Sequence, residues 1–432
     1  MLVKAYFYQL TNIKSHEVRA ALLSACYFFT VLTAYYVLRP LREEFAVENG
    51  VENLHLLFLG TLFATLLLVP LVGWLVSQYR RKVFITYSYR IFALLLFCFF
   101  LFFTYGSEQL SVYIGRVFYT WLSVFNLFVV SIFWSFMADG FGYNRSRRLF
   151  AFIAAGGTLG AILGSGITAF FVESIGRLPL MLISVFLLEV AVQIVKALDK
   201  EFDSFPDSAH THRATSELGT GTMFERMSEG IRLTFSSPFL MGIALYMLLY
   251  PFLTTFLYFE QAHIISAEIE TREQRASVFG QIDFWVNVLT LTLQLFVTGR
   301  LMQRLNAGVI LMIMPVLTVI GFMALGNAPV LIVVILFQIV RRAGSYAITG
   351  PAREALYTLV DKTQKYKAKN FIDTFFYRTG DALSASLNGF LVSMSMSIAV
   401  VAWVAVPFAL LWAGTGYWLG RKQLQLVKKK LQ

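Results

Sequence analysis

Two adjacent arginines, Arg341 and Arg342, lie twelve and thirteen residues past Pro329 in the apolar run PVLIVVILFQIVRRAGSYAITG. If that run is a membrane helix, they sit about 18 Å deep, near the middle of a ~30 Å hydrocarbon layer. Arg378 and Asp381 occupy a similar depth in the next apolar run, IDTFFYRTGDALSASLNGFLV. Charge at such depth is costly and is kept where it meets a partner or a wet cavity. A guanidinium offers a planar fork of donors suited to carboxylate or phosphate. The chemistry on offer is anion recognition, with internal ion pairing that fixes helix packing as the competing reading.

Other apolar runs carry buried polar groups of the same kind. The first ends YYVLRPLREEF, with Arg39 and Arg42 one turn apart. The outer interface is the competing place for these two, since long cationic side chains snorkel. The seventh run contains LYPFLTTFLYFEQAH, with Pro251 and Glu260. The eighth reads GQIDFWVNVLTLTLQL, so Asp283, Asn287 and Gln294 share one face. Arg353 follows the Arg341 run by about three turns. The expectation is that Arg39 or Arg42, Arg341 or Arg342, Arg353 and Arg378 border one cavity, with Glu260, Asp283 and Asp381 as counter-charges. Arg341 and Arg342 point about 100° apart, so one of them faces that cavity and the other a neighbouring helix.

The elements that must place these residues are membrane helices. The 432-residue chain is 57% hydrophobic and 14% charged, with 42 Phe, against about 25% charged in a soluble domain. Twelve spans are expected near 19–41, 54–76, 83–104, 113–138, 149–171, 178–198, 238–260, 278–299, 307–326, 329–352, 370–392 and 397–418. The fold class is therefore all-α polytopic, six helices and six, with a polar linker at 199–235 and a bundle on either side, 1–198 and 236–432. A short amphipathic helix is expected from Thr222 to Leu233. His210 and His212 in the linker lack further ligands for a metal. Cys26 and Cys98 sit in apolar runs and read as packing residues.

The net charge of +11 resides in loops between apolar runs, which is membrane topology and not a nucleic-acid face. The positive-inside rule puts both termini and the linker in the cytoplasm of a bacterial inner membrane. Arg42, Arg177, Arg272 and Arg275 remain as scattered cations of the opposite loops. The halves look related: Gly73 and Gly299, each followed by basic residues in a loop, are 299 − 73 = 226 apart, and Phe150 and Phe371 are 371 − 150 = 221 apart. Such parallel repeats suit a major-facilitator-like arrangement with a pseudo-two-fold axis along the membrane normal. Gly156, Gly157, Gly160, Gly164 and Gly166 permit close helix approach. Phosphate cradling is the alternative reading, but no strand or P-loop lysine accompanies them.

Several stretches resemble the nucleotide transporter family, the ATP/ADP translocases of plastids and intracellular bacteria, and more closely its bacterial relatives within the major facilitator superfamily. They are YYVLRPLREEF, SIFWSFMAD with RRLFAFIAAGGTLGA, LYFEQA, and GPAREALYTLVDKTQKYKAKNFIDTFFYRTGDALS, which together touch nearly the whole chain. The resemblance implies that Arg42 and Arg353 stand where that family has lysines, and that Glu260 matches its seventh-span glutamate. No acid stands near Asn126, where the family has one. It implies a carrier of nucleotides or other phosphorylated metabolites.

Three functions are weighed on these grounds. The leading one is a secondary transporter of an anionic solute, a nucleotide or phosphorylated metabolite. The second is a transporter or flippase of an amphipathic anion such as a lipid or cell-wall precursor. A membrane-embedded enzyme is the weakest, because no nucleophile, metal cluster or His/Asp dyad is evident. No cofactor is expected, and a monomer is.

Overall fold

The computed structural model describes residues 17–48, 50–78, 81–203, 231–357 and 371–431, with 14, 368 and 369. Among these residues the chain is helical with no strand. The helices are α1 (Val18–Glu48), α2 (Leu54–Gln78), α3 (Arg81–Tyr105), α4 (Glu108–Ile175), α5 (Arg177–Asp203), α6 (Pro238–Glu268) and α7 (Arg272–Leu293). There follow α8 (Gly299–Arg304), α9 (Ala307–Asn327), α10 (Leu331–Gly344), α11 (Gly350–Leu356), α12 (Tyr377–Ser393) and α13 (Ile398–Leu431). Among the described residues all twelve expected spans fall on helix, and ten helical segments, two of them running through a π turn, are long and apolar enough to cross a membrane. The 17-residue α12 reaches spanning length only with the wide π turn Ile372–Phe376 that leads into it. The linker's expected amphipathic helix and its histidines lie largely or wholly outside the described residues.

The loop expected between the fourth and fifth spans is helical instead. The fourth and fifth spans form one run, α4, broken only at Gly142 (φ 64°, ψ 179°). Positive φ is a conformation glycine alone adopts without penalty, so the turn costs one residue and the basic stretch after it stays helical. Gly73 lies within α2, and Gly299 opens α8 with helical φ and ψ. An isolated glycine is tolerated in a helix where membrane and packing supply the order.

The chain divides into two compact units. Unit 1 comprises residues 1–49, 60–219 and 271–284. Unit 2 comprises 50–59, 220–270 and 285–432. The first residues of α7 thus pack with unit 1, where Ser277 donates to the Ala169 carbonyl (2.9 Å).

In unit 1 the glycines of α4 let α1 come to backbone contact. A Cβ built at Gly156, Gly160 or Gly164 would lie 2.5, 2.2 or 2.5 Å from the carbonyl oxygens of Ala25, Phe29 and Thr33. The expected glycine face is therefore a packing face. Side chains then bond across it: Thr33 to the Gly160 carbonyl (3.2 Å) and Thr168 to the Val37 carbonyl (2.8 Å). Ser184 of α5 reaches the Ala34 carbonyl (3.0 Å). Aromatic packing fills the remainder, with Phe28 stacked on Phe133 at 4.1 Å and the Tyr27 and Tyr89 hydroxyls 2.6 Å apart.

Unit 2 repeats the device. A Cβ at Gly380 of α12 would lie 2.3 Å from the Leu248 carbonyl oxygen of α6. The offsets are 380 − 160 = 220 for the glycines and 248 − 29 = 219 for the carbonyls they approach. Both units thus pack their first expected span on their fifth through a glycine, at registers one residue apart. Gly160→Leu is expected to destabilise the protein by at least about 1–3 kcal/mol, because the obstacle is backbone and cannot swing aside. Thermal unfolding of the purified variant checks this, with Gly142→Ala as a strained control elsewhere in α4.

Candidate functional site

In unit 1 the charges of α1 divide by helix face. Arg39 donates through Nη1 to Asp283 Oδ1 of α7 at 2.6 Å, and the Asp283 side chain is only 3% exposed. The Arg39 guanidinium also lies 5.7 Å from the Tyr36 ring centre. Arg42, one turn on, meets α4: it donates to Ser123 Oγ (3.1 Å) and lies 4.9 Å from the Tyr119 ring centre. Its ion-pair partner is the adjacent Glu43. The two arginines therefore serve different neighbours.

Farther along α1, Glu44 and Glu48 gather the cations expected to be scattered. Arg177 of α5 bonds Glu44 at 2.6 Å and approaches Glu48 at 3.4 Å. Arg272 and Arg275 of α7 reach Glu48 (2.5 Å) and Glu44 (3.4 Å). Sequence reasoning missed this cluster, although the i,i+4 acids at the end of a span were a signal. A bidentate pair, Arg90 with Glu189 (3.0 and 3.2 Å), joins α3 to α5 on an exposed face.

Unit 2 holds the arrangement most suited to an anion. Arg341 on α10 is 3% exposed. Its Nη1 donates to Thr254 Oγ1 (2.7 Å) and its Nη2 to Gln338 Oε1 (3.1 Å). Its Nε has no partner, and no described carboxylate lies within ion-pair distance. Next to Thr254, Thr255 donates to Asp381 Oδ1 (2.7 Å), and Asp381 lies 3.7 Å from Arg378. Two consecutive threonines of α6 thus bring α10 and α12 to one place, and with them Arg341, Asp381 and Arg378. Tyr250, Tyr346 and Tyr377 are within electrostatic reach of the Arg341 guanidinium. Arg342 is half-buried where Arg341 is buried, as the 100° step between neighbours requires.

The other expected site residues stand apart from this group. Arg353 on α11 pairs with Glu354 (3.1 Å) and touches Met247 Sδ (3.2 Å), while Lys369 takes the other Glu354 oxygen (2.5 Å). Twelve residues separate Arg353 from Arg341, roughly 18 Å of helix, and Tyr250 lies within electrostatic reach of both. Asn287 is buried on α7. Glu260 does not act as an arginine's counter-charge: its Oε1 accepts from Asn388 Nδ2 of α12 (3.1 Å). The threonines and Gln338 were not anticipated, because a hydroxyl's usual role in a membrane helix is to bond its own backbone. Nor were the wide π turns Ser345–Thr349 and Ile372–Phe376, one just after Arg341 and one just before Arg378. Such turns are frequent at functional sites because they shift side-chain register locally.

Among the described residues no group of three metal-ligating side chains occurs. No protein-family profile matches the chain, and no curated protein matches it in sequence. Solved structures do match in fold. A POT family transporter in complex with 5-aminolevulinic acid is similar at a TM-score of 0.63 and 11% identity, over 93% of this chain and 96% of that one. A bacterial homologue of the human lysosomal transporter Spinster gives 0.58 and 14%, over 96% and 99%. A bacterial metal transporter gives 0.58 and 13%, over 94% and 98%. The chain is an all-α polytopic membrane protein with a fold that these transporters share.

Proposed function

We propose that the protein is a secondary transporter of the alternating-access type for an anionic solute, with a nucleotide or another phosphorylated metabolite as the leading class. The observation that carries this is Arg341: a buried guanidinium, donating to neutral oxygens, with no carboxylate paired to it. An uncompensated buried cation is strongly unfavourable, and an anion arriving beside it would remove that cost. Arg378 stands in the same group of unit 2 and offers further donors. The fold likeness to transporters of different cargoes supports transport in general and leaves cargo class to these residues. The excess of basic residues in one set of loops supports a reading with both termini in the cytoplasm of a bacterial inner membrane.

The test is uptake of labelled ADP into proteoliposomes preloaded with unlabelled ADP. Saturable counterflow, with ADP raising the melting temperature of the purified protein, is the expected result. Absence of both, in a preparation that a lysophospholipid does stabilise, would move the assignment to an amphipathic anion.

A further inference from the structure

Five carboxylates are buried among the described residues: Glu17, Glu43, Glu44, Glu260 and Asp283. Four of them have an arginine within ion-pair distance: Arg145 and Arg148 for Glu17, Arg42 for Glu43, Arg177 and Arg275 for Glu44, and Arg39 for Asp283. Glu260 has none. It is 1% exposed, its Oε1 accepts one bond from the Asn388 amide, and its Oε2 has no partner. The charged residues on the elements packed against α6 are otherwise engaged or out of range. Arg341 of α10 is held by Thr254 and Gln338, and Arg342 makes no ion pair with Glu260. On α12, Arg378 and Asp381 answer one another. Asp373 precedes α12, Arg421 lies far along α13, and on α6 itself His263 and Glu268 face no bond to Glu260, with Glu268 accepting from the Leu331 backbone. None of these forms an ion pair with Glu260.

From this geometry we infer that Glu260 and Asn388 form a proton-binding site in the interior of unit 2, with Glu260 carrying the proton in the state seen here. An ionised carboxylate with a single amide donor and no cation is among the costliest groups a protein interior can hold. A neutral acid with one unpaired hydroxyl costs far less. The Asn388 amide donates to one carboxyl oxygen in either form, and a single neutral donor does not offset the cost of burying an unpaired charge. Release breaks the Oε2–H bond, leaves its electron pair on the carboxylate and hands the proton to water, so it requires α6 and α12 to part enough to admit water. Proton occupancy is thereby tied to the packing of the two helices that also carry Thr254, Thr255, Arg378 and Asp381. As a consequence, which rests on the anion-transport reading above, the protein would couple proton movement to transport.

The decisive measurement does not depend on cargo. Infrared spectra of the purified protein between pH 5 and 9 should show a deuterium-sensitive protonated-carboxyl band at neutral pH that is absent in Glu260→Gln. Because glutamine matches the neutral acid in shape and charge, Glu260→Gln should fold with an unchanged or higher melting temperature. Asn388→Leu should keep the band and shift its frequency, which a merely structural pair elsewhere would not do. The proposal is overturned if Glu260 contributes no protonated band across that range. It is equally overturned if Glu260→Gln is strongly destabilised, or if sodium stabilises the native protein and not the variant, which would make this a metal-cation site. With labelled ADP, Glu260→Gln should keep counterflow and lose acceleration by an inward proton gradient. Loss of ADP transport in the unmodified protein, with the band present, would reject the cargo and leave the proton site standing.

Discussion

Arg341→Ala is expected to abolish high-affinity ADP binding while leaving the protein folded. Truncating one partner of a buried, hydrogen-bonded charge pair costs about 2–5 kcal/mol, which is roughly 30-fold in affinity at the least. Stability should not fall with it, because the substitution removes a buried cation that has no carboxylate to lose. Thr254 and Gln338 are left behind, and both are neutral. Arg341→Lys should recover only part of the affinity, since an ammonium keeps the charge and loses the bidentate fork. Isothermal titration with ADP alongside thermal unfolding separates the two effects. Unchanged ADP affinity in Arg341→Ala would remove the anion-site assignment. A large fall in melting temperature instead would make Arg341 a packing residue.

The second large effect concerns Arg39 and Asp283. Their side chains are 16% and 3% exposed and 2.6 Å apart. Asp283→Leu alone strands the arginine and should cost about 3–5 kcal/mol. The double variant Arg39→Met with Asp283→Leu removes both charges and should regain most of that loss, because a well-packed apolar pair often equals a buried ion pair in stability. Thermal unfolding of the two single variants and the double closes the cycle. A double variant as unstable as Asp283→Leu would mean that Asp283 is held for some reason other than Arg39. A stable double variant that no longer performs ADP counterflow would give the pair a part in transport. The position of Asp283 makes this informative, since it lies on the stretch of α7 that packs with unit 1.

Much of this architecture was legible in the sequence, and the reasons are local. A run of some twenty apolar residues can satisfy its backbone in a membrane only as a helix, so the twelve spans could be placed from composition alone. Gly156, Gly160 and Gly164 lie at a spacing of four, and residues four apart on a helix share a face, so a close helix contact was readable before its partner was known. The depth of Arg341 and Arg378 followed from counting residues at a fixed rise. The helix through residues 143–152 was less legible. Its basic residues signal a loop, and only a single glycine's positive φ lets the chain turn without leaving helical geometry.

Which partner each buried arginine meets was settled mostly by tertiary structure. Arg39, Arg42, Arg341 and Arg353 are alike as letters, and nothing local distinguishes them. In space one meets Asp283, one a serine and its neighbouring glutamate, one a threonine and a glutamine, and one Glu354. Glu260 has an amide where Glu44 has two arginines. A side chain's charge is intrinsic to the residue, whereas the free energy of burying it depends on what lies within about 4 Å. That neighbourhood is assembled largely from helices whose meeting residues stand 81 to 244 positions apart in the chain, so it exists only once they have packed.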